Sequence, residues 1–370
     1  MKSGNHVDLA RLAAGLTSLL FSATSSLPAQ PEAVKSYYVY ACAESEDEVA
    51  IVRYGPSGAG VVKVVPVGSF PTEIEGSHGI NVAPDGRHWY VTLAHGKPFG
   101  TVHKYETGSN LWLADVRLGM YPATLDISAT TGLLYAVNFN LHGKISPNTI
   151  SVVDTQNMIE VEQIKTGVMP HGSRLNPAGD RHYSVNMMND EVVEVDALVF
   201  AVLRRLQLPG GKQQGDGSHS PHQPTVQPTW VTPPTRDGRV YVTSNKSDQI
   251  FEVDLDRWSI SHTFSKTGTG PYNLAVAASG RTLVVTYKKE SAVDFWDLEA
   301  GRETARIKTI RRVPHGVVIS PDGEYAFVTV EGVGGELGSV EVYHLLTRQR
   351  VGVAEIGKQA GGIAFWRTEG

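Results

Sequence analysis

Cysteine is almost absent. A single residue, Cys42, occurs in 370, so the chain forms no internal disulfide and no cysteine-rich zinc or iron–sulfur site. A basic excess is also missing. The 33 Lys+Arg stand against 38 Asp+Glu, a formal charge of −5, which lacks the electrostatic footprint of a nucleic-acid or anionic-membrane binder. Nucleic acid is therefore not an expected partner. The mostly apolar run at residues 12–21 is shorter than the roughly 20 residues that span a bilayer, so no integral membrane segment is expected in the mature chain. No Gly-x-Ser-x-Gly element occurs, which removes the usual support for serine-hydrolase chemistry. What is abundant is turn chemistry: 38 Gly and 20 Pro in a chain that is 41% hydrophobic and 19% charged. That composition suits a globular β-type chain and excludes disorder, collagen and coiled coil.

Residues 1–29 differ from the rest. Lys2 and Arg11 precede the apolar run, Ser-rich residues follow, and Leu27-Pro28-Ala29 closes the segment. This reads as a secretory signal cleaved after Ala29, with 30–36 as a linker and a periplasmic or secreted mature protein. Losing Lys2, Asp8 and Arg11 takes the formal charge from −5 to −6. The segment Tyr38 to Ala43 alternates as a strand, and Cys42 within it reads as a small core residue.

The main signal is an internal repeat. Its clearest copy runs from Pro314 through His315, Gly316 and the turn Pro321-Asp322-Gly323 to Val330; another runs from Ser77 through His78, Gly79 and Pro84-Asp85-Gly86 to Leu93. Further copies begin at Pro122, Pro170, Pro228 and Pro271, at intervals of 45, 48, 58, 43 and 43 residues. Short strands and Gly-rich turns at this pitch predict four-stranded antiparallel sheets arranged radially. Six full copies are followed by a partial one at Gly361 to Trp366, and the strands it lacks are available near the other end, from Tyr37 onward. The expected fold is an all-β, seven-bladed β-propeller over 37–370, its closing blade shared between the N- and C-terminal strands; a two-domain β-sandwich does not account for this complementarity. A single propeller is expected to be monomeric. The insertion 208–227 explains the 58-residue interval, and its composition predicts a mobile loop carrying His219 and His222.

The runs Tyr90-Val91-Thr92, Tyr135-Ala136-Val137-Asn138 and Tyr241-Val242-Thr243-Ser244-Asn245 resemble the YVTN repeat family of bacterial β-propellers, over nearly the entire mature chain. The resemblance implies the fold. It does not imply one activity, because similar propellers include lactonases, a lyase, and haem- and copper-binding proteins.

The repeat assigns faces. One position per blade, occupied by His78, Ala123, His171, Thr229, Tyr272, His315 and Gly361, should ring one mouth of the central channel. His95, Asn138 to His142, Asn186 to Asn189, Asn245, Tyr287, Lys288 and Glu331 should lie just outside it. Blades step by about 51°, so the three ring histidines would approach one ligand from around the axis. His78, His171 and His315 form a candidate metal set, since three imidazoles with an open position suit zinc or copper. His171, His315 and Glu331 are candidate acid–base residues. His78, His95, His171, Tyr272, Lys288, His315 and Glu331 are the expected ligand-binding set. The alternative for each histidine is structural, its ring bonding a neighbouring carbonyl to lock two blades together. Trp230 is expected to pack between blades. Three functions follow: a binding module for a small molecule or protein partner, a lactonase- or lyase-type enzyme, or a metal or haem protein.

Overall fold

The computed structural model describes residues 35–70, 72–94, 99–141, 143, 146–211, 223–265 and 267–370. The proposed signal segment and residues 212–222 of the insertion lie outside them. The Pro-Asp-Gly tripeptides turn as the sequence predicts. At Pro84-Asp85-Gly86 the glycine adopts φ +71° and Asp85 Oδ1 accepts the Arg87 amide at 2.9 Å, which only a residue free of Cβ strain does readily.

Seven four-stranded antiparallel sheets result. The inner strands of blades one to six are Ser77–Val82, Pro122–Ile127, Pro170–Leu175, Pro228–Val231, Pro271–Val276 and Pro314–Ile319. Their second strands are His88–Leu93, Leu133–Asn138, Arg181–Asn186, Arg239–Ser244, Thr282–Tyr287 and Tyr325–Val330. Blade seven takes its inner strand, Ala360–Glu369, from the end of the chain and pairs it with Ser36–Ala43, followed by Glu48–Gly55 and Gly58–Pro66. The partial last repeat and the first strands thus complete one sheet, as their complementarity predicts.

The second strands read as continuous apolar runs because both of their faces are buried. On Leu133–Asn138, Tyr135 and Val137 pack with Leu175, Met187 and Val195 of blade three, whereas Leu134 and Ala136 pack with Tyr90 and Val102 of blade one. The core is therefore divided among the gaps between blades, and each fully buried Val or Leu there is worth about 1.5–3 kcal/mol. Cys42 is fully buried and unpaired, in the apolar cluster with Tyr40 and Trp89.

Near the axis the blades are joined by polar latches. Each inner strand slips its ladder just after its first residue, and the threonine of the Tyr-Val-Thr run takes up the freed group. Thr92 Oγ1 accepts the Gly79 amide at 2.8 Å and donates to the Ala123 carbonyl at 3.0 Å. Thr286 accepts from Asn273 at 3.1 Å and donates to the His315 carbonyl at 2.9 Å; Thr329 accepts from Gly316 at 2.8 Å and donates to the Gly361 carbonyl at 2.5 Å. Thr243 donates to the Tyr272 carbonyl at 2.8 Å. Blades two and three carry Val137 and Val185 at this position and find substitutes. Thr124 donates to the His171 carbonyl, and His171 Nδ1 donates to the Thr229 carbonyl at 2.8 Å. In every case the acceptor is the ring residue of the next blade.

Candidate functional site

The ring histidines sit on strands that need glycine beside them. A Cβ on Gly79 would lie 1.9 Å from the Ala123 carbonyl oxygen, and one on Gly172 would lie 2.5 Å from that of Thr229. Neighbouring inner strands approach this closely only without a side chain, which is why His78, His171 and His315 each precede a glycine. The channel is correspondingly narrow. His78 lies with its ring centroid 6.2 Å from that of His171 and 5.8 Å from that of His315, edge to face in both cases. Tyr272 stands between the other two, 5.6 Å from His171 and 4.7 Å from His315. All four side chains are buried. The ring histidines thus project inward from close strands and stand edge to face with one another at the mouth.

Two residues complete the cluster that the repeat reading did not name. Glu44 is buried, and its Oε2 lies 3.2 Å from His78 Nδ1 while Oε1 accepts the Tyr121 hydroxyl at 2.8 Å. Glu44 follows Ala43, which pairs with Ala360 as Val330 pairs with Pro314 and Tyr287 with Pro271. It therefore occupies in blade seven the repeat position of Lys288 and Glu331. Tyr121 precedes the inner strand of blade two with φ +52°, and the equivalent residues Gly76, Met169, Gln227, Gly270, Val313 and Gln359 all share a positive φ. This repeated left-handed residue turns the chain into each inner strand, and at blade two it delivers a phenol to the axis.

Burial shifts four members of this cluster, His171, His315, Tyr121 and Tyr272. It is the largest influence lowering His171 to about 3, reinforced by His78, and it holds His315 well below the ordinary imidazole value, reinforced by Lys288. Burial likewise raises Tyr121 and Tyr272, helped by Glu44 and Glu331 respectively. The hydrogen bonds agree with a neutral His171. Its Nδ1–H donates to Thr229, so Nε2 accepts from the Tyr272 hydroxyl at 3.1 Å. For His171 the structural alternative stated above thus holds, since its ring locks blade three to blade four. His315 differs, because its buried Nδ1 has no partner and its Nε2 stands 3.9 Å from Glu331 Oε1.

Lys288 and Glu331 cover the cluster on the solvent side. Both are half-buried, bonded to each other at 2.7 Å, with the ammonium 3.8 Å from the centre of the Tyr272 ring. Other expected mouth residues point elsewhere. Tyr287 is fully buried and faces Arg306, Asn138 binds Thr149 and Ser151, Asn186 binds Glu191, and Asn189 caps the Val168 amide. His95, His142, His219 and His222 lie outside the described residues. Phe139 packs on His171 at 4.8 Å. Trp230 lines the axial channel beneath the mouth, under the Arg174 guanidinium, rather than packing solely between blades. Among the described residues no three His, Cys, Asp or Glu side chains are arranged to hold a metal ion, and no helix is long and apolar enough to cross a membrane.

Fold and site define a seven-bladed β-propeller with a polar plug at one mouth of its channel. No family model and no curated protein matches the sequence. Among solved structures, the chain is similar to a functionally unknown protein from Desulfotomaculum acetoxidans DSM 771, with a TM-score of 0.69 and 13% identity over 89% of this chain and 98% of that one. It is also similar to Kuenenia stuttgartiensis hydrazine synthase, with a TM-score of 0.64 and 15% identity over 81% and 92%. At these identities the likeness concerns the fold.

Proposed function

We propose that this chain is an exported binding module of the YVTN-repeat kind, whose histidine mouth receives a small polar ligand. The observation that carries this reading is the half-buried Lys288–Glu331 pair placed over the buried His315 imidazole, whose Nε2 stands 3.9 Å from Glu331 Oε1. Burying polar groups is costly, and a fold that needed only an axial plug is better served by apolar side chains. A ligand bearing both a donor and an acceptor parts the Lys288–Glu331 bond, takes up the two charges, and reaches His315. The test is a thermal-shift and calorimetric screen of small hydroxy acids, amino acids, sugars and nucleobases. At least one class should raise the melting temperature of the wild type and lose most of that effect in Lys288→Ala and His315→Leu. An absence of any shift, together with a protein isolated from its host without a bound small molecule by native mass spectrometry, refutes it.

Acid–base catalysis is a second reading, supported by the Glu44–His78 pair. A carboxylate at Nδ1 holds the imidazole with Nε2 available as a base, the arrangement that activates histidine in hydrolytic sites. It transfers the lactonase- or lyase-type role from His315 to His78. Turnover of lactones should then vanish in both His78→Gln and Glu44→Gln, and turnover that survives Glu44→Gln removes the pair from the chemistry.

A further inference from the structure

Directly beneath the plug lies an axial cavity of about 20 Å³, walled by residues from all seven blades, room for roughly one water-sized particle. Its wall is rich in hydrogen-bond donors. Arg174 spends one N–H on the Ser173 carbonyl at 2.6 Å and stacks over Trp230 at 5.0 Å, leaving the rest of its five donors without a protein acceptor among the described residues. Asn273 uses its side-chain oxygen on the Leu274 amide at 2.7 Å, so its NH₂ is likewise unclaimed. His315 contributes the unpartnered Nδ1. The nearby carboxylate does not close this gap. Asp126 turns Oδ1 to Asn81 at 2.9 Å and to its neighbour's amide, and Oδ2 to the Leu175 amide at 2.8 Å. It balances the guanidinium charge without bonding it.

We propose that this cavity is a binding site for a monatomic anion, chloride, held by Arg174, Asn273 and His315. A water molecule must donate two hydrogen bonds as well as accept, and donors predominate on this wall; an anion accepts from several donors at once and donates nothing. The volume excludes sulfate, gluconate and any organic carboxylate. The site shares the His315 ring with the ligand mouth proposed above, using Nδ1 where the mouth faces Nε2, and Arg174→Met tests it without altering Lys288, Glu331 or His315.

Chloride is titrated against gluconate at constant ionic strength while the melting temperature and the ³⁵Cl NMR linewidth are followed. The wild type should show a saturable rise in melting temperature and chloride line broadening, both abolished in Arg174→Met, which removes the donors while keeping a long side chain. Bromide-soaked wild-type crystals, which need no variant, should give an anomalous peak on the channel axis within hydrogen-bonding distance of Arg174. A melting temperature indifferent to chloride, a response unchanged in Arg174→Met, or an axis with no anomalous peak overturns the proposal and leaves ordered water as the occupant.

Discussion

Replacing Thr329 by valine tests the latch between blades six and seven. The side chain is fully buried, accepts the Gly316 amide at 2.8 Å and donates to the Gly361 carbonyl at 2.5 Å. Valine keeps the shape and removes both bonds, leaving one backbone N–H and one C=O unpaired away from water. Each orphaned group costs about 1–3 kcal/mol, and the added methyl returns about 0.8 kcal/mol. The expected net loss is therefore about 1–5 kcal/mol, read as a lower urea midpoint with the slope unchanged. Thr329→Ser keeps the hydroxyl and should lose only about 1 kcal/mol. Amide exchange supplies a local readout, because the Gly316 N–H should exchange much faster in the valine variant while outer-strand amides keep their protection. A destabilisation under about 0.5 kcal/mol, or unchanged Gly316 exchange, refutes the latch as a contributor to closure.

Three other outcomes follow from the same geometry. Gly79→Ala places a Cβ 1.9 Å from the Ala123 carbonyl oxygen, a backbone atom that cannot swing aside, and should cost about 3 kcal/mol or more, whereas Gly60→Ala meets nothing within 4 Å and should leave the denaturation midpoint almost unmoved. Acid should destabilise the ring through its buried histidines. His171 and His182 are each lowered to about 3, chiefly by burial. Between the unfolded value of about 6.5 and that folded value the unfolded chain binds more protons. Their contribution is thus complete above about pH 6.5 and is lost as pH falls toward 3, which a melting-temperature profile measures. His182→Phe should flatten that profile and raise stability at neutral pH by about 1 kcal/mol, since neither ring nitrogen of this fully buried residue has a partner and its ring already stacks on Tyr135 at 5.4 Å.

The fold was legible because its signals are local and recur. Pro-Asp-Gly turns and Tyr-Val-Thr runs mark the same places in successive blades, and the truncated copy at Gly361 states where the ring must close. The mouth was legible only in part. His78, His171, His315, Tyr272, Lys288 and Glu331 do meet, because one repeat position maps onto one face. Glu44 escaped because the second strand of blade seven carries Tyr40-Ala41-Cys42 in place of Tyr-Val-Thr, so no motif marked the residue after it; registering Ala43 on Val330 would have found it. Tyr121 lies before the motif begins, and the backbone turn that aims it is marked by no particular residue type. Nor does residue spacing give channel width. That follows from how closely Gly79 and Gly172 let inner strands approach, and it sets how near to one another the three imidazoles stand.

The pairing of Ser36–Ala43 with Ala360–Glu369 carries a consequence for synthesis. Glu44 is tethered through its own amide to the Gln359 carbonyl at 3.1 Å, so the carboxylate beside His78 is seated by the residue that leads into Ala360–Glu369, a strand made long after Glu44 itself. Until that strand arrives, the nascent chain is an open arc in which Glu44 has no fixed place opposite the imidazole. Seating of Glu44 beside His78 therefore waits on closure of blade seven, and a chain interrupted before Ala360 would lack the contact that places this carboxylate.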